Sequence, residues 1–257
     1  MATIPRLPRP GDDWNQNDLH SYDIRLEFQD TQTFFGETSL PTPSIQQDIL
    51  TASDAKATVN DESYNLLAQI ESATNSSPSE PSNAVVDFSV SLFHSMGYIT
   101  RPRVIKTWSE RQFYIGSKME GVHSDICITD NATGRDVLLC QENRSRTDPH
   151  ARLIIAAIAA YQEYNLVRRA ELRPQLDTMI IPGIIMFSSS PSFFKIPVTS
   201  ELAECVEDGR FPSTPTIVAG HVPDIPKPET RFNDGMMNLD NRRIFLQSFE
   251  AFKQFLV

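Results

Sequence analysis

Cysteine is scarce in this 257-residue chain, at three in all. An odd, small number builds no disulfide framework, so a packed core must hold the fold together. Glycine is also sparse, ten residues against eighteen prolines. No Gly-x-Gly-x-x-Gly occurs, and with it goes the usual loop whose backbone cradles phosphate. Gly-x-Ser-x-Gly is missing, which removes support for a serine nucleophile. Cys-x-x-Cys is missing too, and the five histidines are scattered without zinc-helix spacing. No window approaches 18 uninterrupted apolar residues, so no membrane span is predicted. The first ten residues, Met1 to Pro10, lack an apolar signal core, which predicts an intracellular protein, cytoplasmic or nuclear.

What is present is ordinary for a globular protein: 40% hydrophobic and 22% charged residues. The net charge of −10 argues against a broadly basic, non-specific nucleic-acid binder. It leaves room for a local basic cleft. Arg101, Arg103 and Lys106 precede the most informative segment of the chain, and Arg144, Arg146 and Arg152 follow it. Trp108, Phe113 and Tyr114 suit either base stacking in such a cleft or core packing.

Along the chain, residues 1–20 are rich in Pro, Asp and Asn and are predicted to be poorly ordered or draped over the surface. Tyr22 to Phe35 reads as one extended segment, and Pro41 to Ala73 carries helical spacing. Asn75 to Ser82 reads as a flexible loop. The division is therefore an N-terminal extension, 1–82, with that loop over 74–82, and an α/β domain over 83–257. In the second part, Ala84 to Met96 is a helix ended by Gly97. Arg103 to Thr107 and Phe113 to Ser117 are strands. Asp148-Pro149, an N-cap followed by proline at the first position, opens a buried Ile/Ala-rich helix to about Glu171. Thr178 to Phe187, Phe193 to Val198 and Thr216 to Val222 are further strands. Thr199 caps a short helix ending at Gly209, and Asn241 to Leu256 is a terminal helix. This order predicts a mixed central sheet flanked by helices.

The informative segment runs from Ser124 to Arg144. It reads as a β-hairpin whose apolar arms are joined through Asn131-Ala132-Thr133-Gly134. Folding about Thr133–Gly134 sets Asp125 opposite Glu142 and Cys127 opposite Cys140. By alternation these four, with Arg144, then share one face. Carboxylates on an apolar hairpin are costly to bury without a partner. A hard divalent ion such as Mg²⁺ is one partner and an internal ion pair is another.

An Asp on one strand and Glu-x-Lys at the end of the next resembles the core of the PD-(D/E)XK nuclease-like superfamily, with Arg144 where the Lys belongs. The span from about Asp23 onward is also similar to a group of uncharacterised fungal (basidiomycete) proteins. The matching pieces are Gln141-Glu142-Asn143-Arg144, the Ala-rich run Ile155 to Gln162, Pro182-Gly183-Ile184-Ile185-Met186 and Leu239-Asp240-Asn241-Arg242-Arg243. The resemblance implies a restriction-endonuclease-like fold. It implies that Asp125 and Glu142 bind Mg²⁺, with the Gln141 carbonyl as a further ligand, and that Gln162 lies at the site. It implies phosphodiester hydrolysis, weakened or lost because a guanidinium hardly ever gives up a proton. Asp87 or Glu80 is the candidate acid on the preceding helix, and His123 a candidate base or supporting partner. A non-catalytic binding module on the same fold remains the competing class. A small-molecule enzyme using the cleft is the third.

Overall fold

Apolar runs bounded by turn signals build one seven-stranded mixed sheet with helices on both faces. The computed structural model describes residues 8–76, 83–144 and 147–256. In chain order the elements are α1 (Gln16–Ser21), β1 (Ile24–Phe28), α2 (Thr31–Phe35), α3 (Gln47–Thr51), α4 (Asp61–Asn75) and α5 (Ala84–Ser95). There follow β2 (Arg103–Ile115), β3 (Lys118–Asp130), β4 (Arg135–Glu142), α6 (Pro149–Ala170), β5 (Thr178–Phe187) and β6 (Ser190–Thr199). Last come α7 (Ser200–Asp208), β7 (Thr216–His221) and α8 (Leu239–Phe252). The strand order is β1-β7-β6-β5-β4-β3-β2, with β1/β7 and β4/β5 parallel and the other pairs antiparallel.

α6 is the crossover between the parallel neighbours β4 and β5. Asp148 caps it, its side chain accepting from the backbone N–H groups of His150 and Ala151, and Pro149 occupies the first turn. Its Ile/Ala run is buried nearly all round, so the helix lies down on the sheet. Gly183 on β5 permits the close approach. A Cβ there would sit 2.8 Å from Leu153 Cδ2. On this face α6 packs with Trp14, α1 and α7; on the other, α2 to α5 pack with α8.

Several elements differ from the sequence expectation. Residues 22–35 are not one extended segment: β1 ends at Phe28 and Asp30 caps α2. The two strands expected before the hairpin are one, β2, with Trp108 at φ 54° in its middle. Residues 8–20 are anchored, since Trp14 and Leu19 are fully buried. Gly11 fits because a Cβ would come within 2.5 Å of Val122 Cβ. The segment before residue 83 adds edge strand β1 and supplies much of one core. Positions 77–82 of the loop expected over 74–82 lie outside the described residues. Among the described residues no helix is long and apolar enough to cross a membrane.

The terminal Asn-Arg-Arg is a clamp. Arg242, 1% exposed, donates Nε–H to Met236 O (2.7 Å) and Nη1–H to Ile49 O (3.1 Å) and Ala52 O (2.8 Å). Asn241 holds Lys227 and Thr230 in the same manner. Burial, with Arg243 alongside, pulls the Arg242 pKa down to about 10. Arg242 Nη2–H also donates to Met237 O at 3.3 Å, and a lysine at 242 has no fork to span four carbonyls. Arg242→Lys is therefore expected to lower stability by about 2–4 kcal/mol in urea unfolding, from two buried acceptors left unmet.

Candidate functional site

The β3–β4 hairpin closes one residue away from the expected register. Asp130 pairs with Arg135, leaving a four-residue loop, and a bulge between Ile128 and Thr129 shifts the ladder. Beyond it Ile128 faces Leu138, Cys127 faces Leu139 and Ile126 faces Cys140. A one-residue slip moves a side chain to the other face of the sheet. Cys127 accordingly packs with α6 and Cys140 with the opposite core, and all three cysteines are free and buried. Asp125 follows Cys127 in its alternation and Glu142 follows Cys140. The expectation that both carboxylates share one face is thus corrected by the bulge.

They meet nevertheless, because the strands part at their ends. Asp125, 1% exposed, accepts the backbone N–H of Glu142 on Oδ2 at 2.7 Å, beyond the last paired residues Ile126 and Cys140. A side chain there takes the place of a ladder carbonyl. Arg144 Nη2 lies 3.0 Å from Glu142 Oε2 and 3.6 Å from Asp125 Oδ1, and Arg144 Nε donates to Glu142 Oε2 at 3.1 Å. From α6, Arg152 Nη2 lies 3.9 Å from Asp125 Oδ1. Arg152 Nε lies 3.5 Å from Asp12 Oδ1, and Asp12 Oδ2 meets His123 Nδ1 at 2.6 Å. Charges of opposite sign therefore alternate from Glu142 through Arg144, Asp125 and Arg152 to Asp12.

Burial pushes the Glu142 carboxyl up from its ordinary range, against the pull of Arg144. Some atoms here lack a hydrogen-bond partner among the described residues: Asp125 Oδ1, Gln141 Oε1, Arg144 Nη2 and Arg152 Nε. Such a concentration of unmet buried polar atoms calls for a reason. The Arg144 guanidinium stacks 4.5 Å from the Trp108 ring, which is 42% exposed. The left-handed backbone of Trp108 falls where β2 would pair with Asp125, so the ladder is interrupted on both sides of that residue.

Gln141 is fully buried, and its Nε2–H donates to His123 O at 3.0 Å. His123 stands at the end of the charge chain, bound to Asp12. Gln162 is not brought to the carboxylates. Ten residues, or about 15 Å, farther along α6 than Arg152, its amide accepts the Tyr114 N–H (2.9 Å) and donates to Tyr114 O and Ala203 O. It closes the outer edge of β2. Asp87 is exposed on α5, and Glu80 lies outside the described residues. The expected basic cleft is largely spent. Arg144 and Arg152 neutralise carboxylates, Arg103 donates to Leu256 O, and Arg146 lies outside the described residues. Arg101 and Lys106 stay exposed. Asp12 was not foreseen, since nothing local in Gly11-Asp12-Asp13 ties it to residues beyond 120.

The oxygen atoms that could hold a divalent ion are Asp125 Oδ1 and Glu142 Oε2, with the Gln141 carbonyl the further ligand the resemblance implies. As arranged they do not fit one. Nη2 of Arg144 lies between both carboxylates, and Arg152 adds a second cation.

Neutralisation by arginine sets the sign of a substitution. Asp125→Asn keeps an acceptor for the Glu142 N–H but removes one of the two carboxylates that each guanidinium faces, leaving Arg144 with Glu142 and Arg152 with Asp12. Stability is expected to fall by about 1–3 kcal/mol, whereas relief of repulsion between bare carboxylates would raise it. Glu142 gives a second test. With its folded pKa above the unfolded value near 4.3, its stabilising contribution is complete below that pH and is lost as pH rises through the folded value. Glu142→Gln should flatten that part of the stability–pH curve, measured by urea midpoints from about pH 4 upward.

No family model matches the chain, and no curated protein is significantly similar to it.

Proposed function

We propose that this chain is a non-catalytic binding module on a restriction-endonuclease-like fold of the PD-(D/E)XK kind. The observation that carries the reading is Arg144, whose guanidinium binds both carboxylates at 3.0 and 3.6 Å. Hydrolysis by a bound metal needs carboxylates free to accept it and a group that can give up a proton to or take one from water. Asp125 and Glu142 are already neutralised, and arginine does not exchange its proton near neutral pH. The surface offered to a partner centres on Trp108, exposed on edge strand β2 with the Arg144 Cζ over its ring at 4.5 Å from the centroid. An aromatic ring stacked on a guanidinium is a common anchor at protein interfaces.

A second reading, a metal-dependent phosphodiester hydrolase with nucleic acid as substrate, draws on the unpartnered buried atoms around Asp125. A cleavage assay separates the two. Native protein and Arg144→Lys are incubated with supercoiled and single-stranded DNA in Mg²⁺ or Mn²⁺. No cleavage by either is expected. Metal-dependent nicking by the native protein that disappears in Asp125→Asn would replace the binding-module reading with the hydrolase.

A further inference from the structure

We infer that the groove between α6 and α7 is a binding site for a short zwitterionic peptide, two or three residues long with both termini free. It lies away from the carboxylates at the β3/β4 end and goes beyond the binding-module reading, which stands or falls separately. The groove has a volume of about 410 Å³, within the range of small-molecule sites, ~300–1,000 Å³. Helical spacing builds its walls. Gln162, Leu166 and Arg169 recur at intervals of four and three along α6, and Ser200, Ala203 and Glu207 at three and four along α7, so each trio lines one side. Tyr114 from the end of β2 and Gln175 from the loop before β5 complete the lining. The floor is buried and fixed, with Gln162 Nε2–H donating to Ala203 O at 3.4 Å. Leu166 and Tyr114 are exposed and make the rim partly apolar.

Charge on the two walls is separated along the groove. Asn165 on α6 holds Leu176 through both atoms of its amide, and the Ser200 N–H on α7 donates to Asp177 O at 2.9 Å, which sets these two residues at one level. Gln162 and Ala203, joined to each other, form the next level. The helices therefore run in opposite senses past the groove. Arg169 lies toward Gln175 at one end, about 10 Å along α6 from Gln162. Glu207 lies at the other, about 6 Å along α7 from Ala203, where its carbonyl accepts the Ser117 N–H at 2.6 Å. Glu204 precedes it by one turn. None of these three charged side chains has an ion-pair partner among the described residues, whereas their neighbours do: Arg173 pairs with Glu171 and Arg210 with Asp208. Opposite charges held apart and joined by a partly apolar groove fit a molecule with an ammonium at one end, a carboxylate at the other and an apolar side chain between. An extended peptide advances about 3.4 Å per residue, and the arginine and glutamate side chains reach inward, so two or three residues bridge the ends. A single amino acid, with both charged groups on one carbon, does not. The planar fork of Arg169 suits the terminal carboxylate, and Glu204 with Glu207 suits the ammonium.

The test is calorimetric titration of the full chain with the peptides Ala-Leu-Ala and Ala-Phe-Ala, each with free termini, with the N-terminus acetylated, with the C-terminus amidated and with both ends blocked. Saturable binding of at least one free peptide is expected, with a Kd at or below about 1 mM. Blocking either end should weaken it about fivefold, the weight of an ion pair partly open to solvent. Substitutions assign the ends. Arg169→Gln should weaken the free peptide and remove the penalty for amidation while keeping that for acetylation. Glu204→Gln combined with Glu207→Gln should do the converse. All three side chains are exposed, so these variants are expected to fold as the native chain does, checked by circular dichroism. No saturable binding of either free peptide overturns the site, and so do penalties that the substitutions leave unchanged. Doubly blocked peptide binding as well as free peptide also overturns it and assigns the groove to a neutral segment of chain. None of these outcomes touches the binding-module reading, which the cleavage assay decides.

Discussion

The arrangement depends on one buried carboxylate. Asp125 sits where β3 and β4 separate, and it can do so because its Oδ2 accepts the Glu142 N–H that the ladder leaves free. Its second oxygen must then be met in a nearly dry environment, where an unpaired charge is expensive. Two arginines approach it, one from the end of β4 and one from the first turns of α6. Arg152 in turn draws Asp12, and Asp12 draws His123. A single anion thus orients the strand end, the crossover helix and the N-terminal segment with respect to one another.

How far the sequence reports this depends on the range of each signal. Local signals were legible. Asp148-Pro149 marks the start of α6, Gly97 and Gly209 take left-handed conformations after α5 and α7, and the Ile/Ala run marks a buried helix. The proximity of Asp125, Glu142 and Arg144 was legible as well. Their orientation was not. A hairpin register depends on loop length and bulges, and the bulge between Ile128 and Thr129 has no glycine or proline to announce it. One residue of slip is enough to separate Cys127 from Cys140. Asp12 was illegible for a different reason: more than a hundred residues separate it from its partners.

Polar residues whose type suggests chemistry here serve the backbone as often. Gln162 imitates a neighbouring strand, supplying one acceptor and one donor to Tyr114 on edge strand β2. An uncovered edge invites pairing with another chain, and a buried amide is an economical way to close it. Arg242 gathers carbonyls from α3, from Ala52 just after it and from the turn before α8. In both cases the side chain's hydrogen bonds all go to main-chain atoms. At the carboxylates some polar atoms have no such partner among the described residues, and that contrast is what marks the Asp125 region as the functional candidate.

The identity of residue 144 is the final step. A lysine ammonium is a compact charge on a flexible stem, suited to holding one carboxylate or water and to losing a proton when desolvated. The guanidinium is planar and permanently charged. Here it uses two nitrogens on Glu142, leans Nη2 toward Asp125 and sets its Cζ over the Trp108 ring, 4.5 Å from the centroid. Such a residue is poor at moving protons and good at keeping two acids from opposite faces of a sheet within reach of each other. The choice of arginine, the parted strands and the left-handed turn of β2 at Trp108 then converge on one place, and in the proposed binding-module reading they hold charge there rather than transfer it.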